Sequence, residues 1–331
     1  MSDLVVGTRR AVTGKPWRAG AIALAILITA TVVAWFIYRK SVSYDMPNVV
    51  VEGTLGNDHP NGELAALRFG VSTLQYRGGI AVLRTSGEPH QMGAAHGRLL
   101  AGELRNFVDV AKPSIERIVD SNGMVASLFH RIVLDWRLRF LDDGLTDADR
   151  RWLAGMVRGA EQSGSTMSYP ELVHAAAVID VGAPSLRSAE ADVHVLARSL
   201  SFAVPLANDP SRIWLAHQLA LPGLDDGGDS LPPLLTIARP TGKLAWAGVG
   251  WPALAGVVVG VNSAGIAIAV HPVRSGDVRA TRAAQPTSML ARSVLEQAHT
   301  IDEALAVINK GEALGAAAFV VVDGNEGRWV V

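Results

Sequence analysis

The sequence predicts an α+β protein with layered packing, preceded by a single transmembrane helix. Three observations predict this class: an uncharged run near the N-terminus, helical periodicity up to about Ser185, and alternating, strand-like segments after it. Helices followed by a sheet-rich half are typical of a fold in which helices pack against a sheet.

The composition limits the classes of function. A chain of 331 residues that is 49% hydrophobic and 18% charged can form one large domain or two small ones. The formal charge is -1, and the chain has no Lys/Arg-rich block that would follow a phosphate backbone, so nucleic acid is not an expected partner. Cysteine is absent, which excludes disulfides, thiolate metal sites and cysteine nucleophiles.

The first element is the uncharged run of 20 residues from 19 to 38. At ~1.5 Å per residue it spans the ~30 Å hydrocarbon layer of a bilayer, with Trp35 and Tyr38 at one end as interfacial residues. Basic residues lie on both sides of the run, with more of them before it: Arg9, Arg10, Lys15 and Arg18 before, Arg39 and Lys40 after. This excess predicts a cytoplasmic segment 1–18 and an extracytoplasmic main domain.

Two alternatives exist for this run, a cleaved secretory signal and a buried helix of a soluble protein. The run is long for a signal, and its end, TVVAWFIYRK, lacks a good small-x-small cleavage site. The sequence therefore favours a retained anchor, with the lipid bilayer as a partner through residues 19–38.

Residues 39–78 are rich in turn formers and predict a tether with little fixed structure. The folded part is expected from residue 79, with a strand around Val82 and then a helix. Gly93 and Gly97 lie four apart on that helix, which lets a neighbouring backbone approach closely. His90 and His96 have no carboxylate at metal-ligand spacing, so a plain structural or surface role is expected for both.

Further helices are predicted from MVASLFHRIVLDWRLRFL, from TDADRRWLAGMVRGAEQSG with Thr146 as its cap, and from SYPELVHAAAVIDVG. Strands follow, among them RSLSFAV, RIWLAHQLAL and the hairpin AGVVVGVNSAGIAIAVHPV. In RSLSFAV, alternation places Ser199, Ser201 and Ala203 on one face, and Leu200, Phe202 and Val204 on a face expected to lie in the core. A helical stretch interrupts the strands, with Thr300 and Glu303 as a capping box.

Several motifs occur in a recognisable order: SGEPHQMGAAHGRLL, GMVRGAEQSGSTMSYPELVHAAAVIDV, RSLSFAV, HQLALPG and GVNSAGIAIAV. In this order and spacing, residues 79–331 resemble the acyl-CoA:6-aminopenicillanic acid (isopenicillin N) acyltransferase-like family of N-terminal-nucleophile (Ntn) hydrolases. The resemblance implies an αββα sandwich, with 79–198 as a helical pro-segment and 199–331 as the sheet-rich, nucleophile-bearing region. It also implies self-cleavage before a nucleophile that then acts on an amide or acyl-thioester, including acyl-CoA, without cofactor or metal.

Family members carry Gly-Cys-Thr/Ser-Ser-Phe at the cleavage point, and the matching residues here are 198 to 202. Ser199 stands in the nucleophile position, and Arg198 replaces the preceding glycine. A serine can attack the preceding carbonyl, but its hydroxyl is less acidic than a thiol and depends more on a positioned base and an oxyanion hole.

Two other candidate site residues come from the same comparison. His217, Gln218 and Ala220 stand where the family carries Arg-Asn-x-Asp, so the charge pair beside the nucleophile is replaced. His217 is a candidate proton acceptor, with a packed core histidine as the alternative. Asn262 matches the family's oxyanion-hole asparagine, and a purely structural role in the turn NSAG is its alternative.

Family members continue with further strands after VVDGNEGRWVV, so the sandwich is expected to be incomplete here. The segment DDGGD near Asp225 fits no dedicated calcium loop and is expected to be a solvated turn. Two functions remain: a membrane-anchored, autoproteolytic acyltransferase or amidohydrolase with catalytic Ser199, Asn262 and His217, or a catalytically inactive relative that keeps the fold as a binding or structural module.

Overall fold

A computed structural model of the chain describes residues 16–58, 66–116, 124–185, 199–206, 209–219, 232–272 and 282–331. The chain divides into two units, the first ending at Ser43 and the second beginning at Tyr44. Arg198, Ala220 and the segment DDGGD, all named above, lie outside the described residues, as do residues 1–15.

Helices and strands alternate in a mixed order along the described residues. The helices are α1 (Pro16–Val42), α2 (Pro89–Leu99), α3 (Ala101–Glu116), α4 (Met124–Leu138), α5 (Asp147–Glu161), α6 (Tyr169–Ala176), α7 (Val178–Ser185), α8 (Thr287–Gln297) and α9 (Ile301–Lys310). The strands are β1 (Leu55–Asp58), β2 (Ala66–Phe69), β3 (Ser72–Arg77), β4 (Ile80–Gly87), β5 (Ser199–Leu206), β6 (Asp209–Leu219), β7 (Leu234–Pro240), β8 (Trp246–Gly250), β9 (Val259–Asn262), β10 (Ile266–Pro272), β11 (Ala284–Gln285), β12 (Glu312–Ala313), β13 (Ala317–Asp323) and β14 (Arg328–Val330).

The first unit contains α1, which includes the predicted span 19–38. Its segment Gly20–Val42 is 23 residues long, contains an 18-residue window with a mean hydropathy of 2.4, and is long and apolar enough to cross a membrane. A signal sequence near the N-terminus would have the same length and composition.

The second unit is built on a large mixed sheet in the order β1-β2-β3-β4-β7-β8-β9-β10-β13-β14. Neighbouring strands are antiparallel except β4 and β7, which pair in parallel. The boundary between residues 198 and 199 stays a prediction, and the parallel pair joins β4, which precedes it, to β7, which follows it. The prediction of a mixed α+β fold is confirmed.

The tether predicted for residues 39–78 is wrong where the structure describes it. This segment contributes β1, β2 and β3 to the large sheet, with Phe69 and Leu74 buried in the core. Gly78 and Gly79 both have positive φ and connect β3 to β4 in a tight hairpin. The strands are only four to six residues long and separated by turn formers, which hides their alternation in the sequence.

The helical layer lies against one face of the large sheet. Ile266, Ile268 and Val270, at alternate positions of β10, share one buried cluster with residues of α2, α5 and α8. The intervening Ala269 belongs to a second cluster with Val320, on the opposite face of the sheet.

The second face of the large sheet carries the hairpin β5–β6. Ala203, Ile213 and Leu215 of the hairpin pack against the second cluster, which contains Ala269, Val320 and Val322. The described residues thus contain a helical layer, the large sheet and a two-stranded sheet on its other face. The complete αββα sandwich remains a prediction.

Glycines hold α2 and α5 close together, as the spacing of Gly93 and Gly97 predicts. A Cβ atom at Gly97 would overlap with the backbone of Met156. In return, Gly155 and Gly159 of α5 face the backbone of α2 without room for a side chain. The close contact between the helices therefore requires glycine, which has no side chain, at four positions, two on each helix.

The structure predicts that Gly97→Ala lowers the free energy of unfolding by about 1–3 kcal/mol, because the added methyl must push α2 away from α5. Gly102→Ala is the matched control, since Gly102 lies in α3 with no heavy atom within 4 Å of the added Cβ. The control should raise the free energy by about 0.4–1 kcal/mol through the unfolded state. Urea denaturation of the detergent-solubilised full chain, followed by circular dichroism, measures both, and equal effects would contradict the packing described.

Candidate active site

The hairpin β5–β6 orients the candidate serines. Cross-strand pairing sets Ser199 opposite Leu219 and Ser201 opposite His217. Side chains alternate along a strand, so Ser201 and Ala203 share one face of β5, and Ala203 packs on the large sheet.

The face of β5 expected to lie in the core is instead exposed. Leu200, Phe202 and Val204 are 56%, 50% and 48% exposed, respectively. The opposite face is the one that packs on the large sheet, because its serine and alanine side chains are small enough for the two sheets to approach. Hydrophobicity alone therefore selected the wrong face of this strand.

Three side chains meet between the hairpin and the large sheet. Ser201 Oγ lies 2.7 Å from Nδ1 of its cross-strand partner His217. It also lies within hydrogen-bond distance of Nε2 of His271, on β10. The two imidazole rings are in an edge-to-face arrangement, with centroids 5.0 Å apart. Each of the three residues is partly buried.

Burial keeps the two histidines neutral. It lowers the pKa of His217 to about 4, with a smaller contribution from repulsion by His271. Burial also lowers the pKa of His271. The Ser201 hydroxyl has one hydrogen, so it donates to one imidazole and accepts an N–H hydrogen bond from the other. Either ring can therefore be the acceptor of the hydroxyl proton.

The cluster lacks an orienting carboxylate within the part of the chain that the structure describes. His217 Nε2 is buried there with no hydrogen-bond partner, whereas the distal nitrogen of a catalytic histidine usually donates to a carboxylate or carbonyl. No group of three His, Cys, Asp or Glu side chains among the described residues could hold a metal ion. The chemistry available is thus that of a hydroxyl between two neutral imidazoles.

Asn262 is not part of this cluster. Its Nδ2 donates both hydrogens, to the carbonyl oxygens of Leu295 (3.1 Å) and Ala298 (2.7 Å) at the end of α8. Its Oδ1 accepts from the backbone N–H groups of Ala264 and Ile266. In this conformation no amide hydrogen remains for an oxyanion, and the geometry supports the structural alternative.

Sequence reasoning singled out His217 but missed its two partners. The sequence contained an indication of Ser201, because alternation places it on the same strand face as Ser199 and the next predicted strand follows closely in the chain. The sequence contained no indication of His271, because its position opposite the hairpin depends on how the two sheets face each other. His96, for which a structural or surface role was expected, is 2% exposed in the core beside Trp152, and burial lowers its pKa to about 4.

The low pKa of His217 predicts a pH dependence of stability. Below the ordinary imidazole pKa of about 6.5, His217 is protonated in the unfolded chain. In the folded chain it stays neutral until the pH falls to about 4. The contribution of His217 is therefore fully present above about pH 6.5 and is lost as the pH falls toward 4.

We expect the free energy of unfolding of His217→Gln to fall less steeply over this range than that of the wild type. Urea denaturation at several pH values measures both slopes, and the histidines outside the cluster contribute equally to each protein. His271→Gln is a matched variant and should have a smaller effect of the same sign, because burial lowers the pKa of His271 less than that of His217. Parallel slopes for wild type and His217→Gln would contradict the assignment of a buried, neutral His217.

No curated protein matches the chain. A family model described as acyl-coenzyme A:6-aminopenicillanic acid acyl-transferase matches residues 234–331, from β7 to the end of β14. The match includes His271 and Asn262, whereas Ser199, Ser201 and His217 lie before it. The match is limited to residues 234–331 and is consistent with the family resemblance of the sequence motifs.

Proposed function

We propose that the chain is a membrane-anchored acyltransferase or amide hydrolase whose acyl-accepting hydroxyl lies on β5. The observation that carries the proposal is the position of Ser201 Oγ between His217 Nδ1 and His271 Nε2. The matching family model supports acyl transfer as the reaction class and an acyl compound as the substrate.

The proposed reaction starts with attack of Ser201 Oγ on the carbonyl carbon of an amide or acyl-thioester. The hydroxyl proton passes to the accepting imidazole, which then protonates the leaving nitrogen or sulfur as the C–N or C–S bond breaks. Water or an amine next attacks the acyl-serine ester and loses its proton to the same imidazole. The serine regains its hydrogen, and the acid or the new amide leaves.

We assign Ser199 a separate role, at the point of self-cleavage, and the family resemblance supports this role. It occupies the position before which family members cut their own backbone, and it is the first residue of β5. Cleavage there would free an α-amine at the same end of the strand that carries Ser201. The two serines can then be distinguished by experiment, since each assignment depends on a different hydroxyl.

The catalytically inactive alternative is favoured by the electrostatics of the cluster. A histidine with a pKa of about 4 is a weak base at neutral pH, because a general base is most effective with a pKa near the working pH. In the described part of the chain, no carboxylate is hydrogen-bonded to His217 to raise its basicity. This alternative predicts a folded protein that takes up no acyl group.

The length and composition of α1 support the membrane anchor. No residue of its apolar window is buried in the structure, as expected for a helix that lipid would surround. The basic residues before it support a cytoplasmic N-terminus and an extracytoplasmic second unit.

A serine-reactive fluorophosphonate probe tests the assignment of the hydroxyl. We expect wild type to be labelled, Ser201→Ala to lose labelling by about 100-fold or more, and Ser199→Ala to keep it within about threefold. Mass spectrometry of the labelled peptide identifies the residue, and intact mass reports any cut before Ser199. Circular dichroism verifies that each variant is folded.

The outcomes separate the candidate functions. Loss of labelling in Ser199→Ala, with retention in Ser201→Ala, would move the nucleophile to Ser199. Wild type that is folded and takes up neither the probe nor an acyl group from acyl-CoA would support the inactive relative.

A further inference from the structure

Helix α4 presents apolar side chains to solvent along one stripe. Phe129, Ile132, Val133 and Trp136 are 48%, 36%, 39% and 48% exposed, respectively. Their spacing of three, four and seven residues places them on one face of the helix. We name these four residues the α4 stripe.

Two other residues of α4 pack in the core. Leu134 and Leu138 are each 2% exposed and belong to the main hydrophobic cluster. The helix is therefore apolar on the side that packs and also on the α4 stripe. An ordinary surface helix has a polar outer face, so this pattern marks an interaction surface.

Positive charge accompanies the α4 stripe. Helix α4 contains Arg131 and Arg137 against a single acidic residue, Asp135, which pairs with Arg131. Arg139 follows directly, and its guanidinium carbon lies 4.0 Å from the centre of the Trp136 ring. Arginine beside an exposed tryptophan is typical of helices that lie in the interface of a membrane with anionic lipids.

The first residue of the second unit contacts the end of α4. The Tyr44 hydroxyl donates a 2.6 Å hydrogen bond to the carbonyl oxygen of Leu138, the last residue of α4. The membrane-capable helix α1 ends at Val42. Two residues of extended chain span at most ~7 Å, so by chain length alone Val42 lies close to the Tyr44 backbone, in whatever direction α1 points.

We propose that α4 lies on the bilayer surface and that the α4 stripe inserts into the boundary between headgroups and acyl chains. This inference depends on the membrane anchoring of α1 proposed above. The bilayer that receives α1 is joined to the second unit by the short chain from Val42 to Tyr44, and the phosphates of its headgroups suit the arginines. The second unit would thereby have two membrane contacts, a covalent one through Tyr44 and an interfacial one through α4.

The absence of cysteine allows a direct test with the full chain. Val133→Cys places a fluorescent nitrobenzoxadiazole label on the α4 stripe. Val71→Cys is the matched control, since Val71 is 75% exposed in the turn between β2 and β3. Both proteins are reconstituted into phosphatidylcholine–phosphatidylglycerol vesicles whose acyl chains carry a nitroxide quencher.

We expect the label at position 133 to lose more than about half of its emission to the lipid quencher, and the label at 71 to lose little. Adding Phe129→Ser and Trp136→Ser should abolish the quenching at 133, while the protein still floats with the vesicles. Both added changes affect exposed side chains, and circular dichroism verifies the fold.

Other results overturn the proposal in distinguishable ways. A protein that floats with the vesicles, but whose label at 133 is quenched no more than the label at 71, retains its anchor without the α4 contact. A label at 133 that is shielded from aqueous iodide but not quenched from the lipid is covered by protein, such as a second copy of the chain. A protein that fails to float has no anchor, which is a failure of α1.

Discussion

The second unit depends on the interactions of one buried group, the guanidinium of Arg292. Arg292 on α8 and Asp149 on α5 are 2% and 1% exposed and form an ion pair. The same guanidinium donates to the carbonyl oxygen of Ala255, a residue with a positive φ, in the connection between β8 and β9. It also lies 4.7 Å from the centre of the Trp152 ring. Arg292 also pairs with the buried Glu296, so the larger loss is expected when Arg292 is removed and the Asp149 carboxylate stays buried without this cation, at a cost of about 3–5 kcal/mol.

The geometry of the candidate site depends on these contacts of Arg292. The arginine ties two helices of the helical layer to the connection that leads into β9, and β9 pairs with β10. His271 lies on β10, where it meets a hairpin that pairs with no other strand among the described residues. The hairpin is held by a small cluster around Ala269 and Val320, so β10 supplies the fixed side of the site and Ser201 and His217 supply the other.

The sequence predicted those features of the fold that local periodicity and backbone chemistry control. The mixed fold, the close approach at Gly93 and Gly97 and the cap at Thr146 all follow from spacing and residue type. The strands before Gly79 were missed because they are short. The site was predicted in part, since alternation places Ser199 and Ser201 on one face. The meeting with His271 depends on how two sheets face each other, which one-dimensional periodicity does not contain.

A cobalt titration of Ser201→Cys tests most directly whether Ser201, His217 and His271 meet as described. A thiolate at position 201 beside two imidazole nitrogens provides three ligands for a tetrahedral metal ion, and the chain has no other cysteine. The account predicts a thiolate-to-cobalt charge-transfer band in the near ultraviolet, lost when His271→Ala or His217→Ala is added. Absence of the band in folded Ser201→Cys, or a band unchanged by either histidine substitution, would contradict the site.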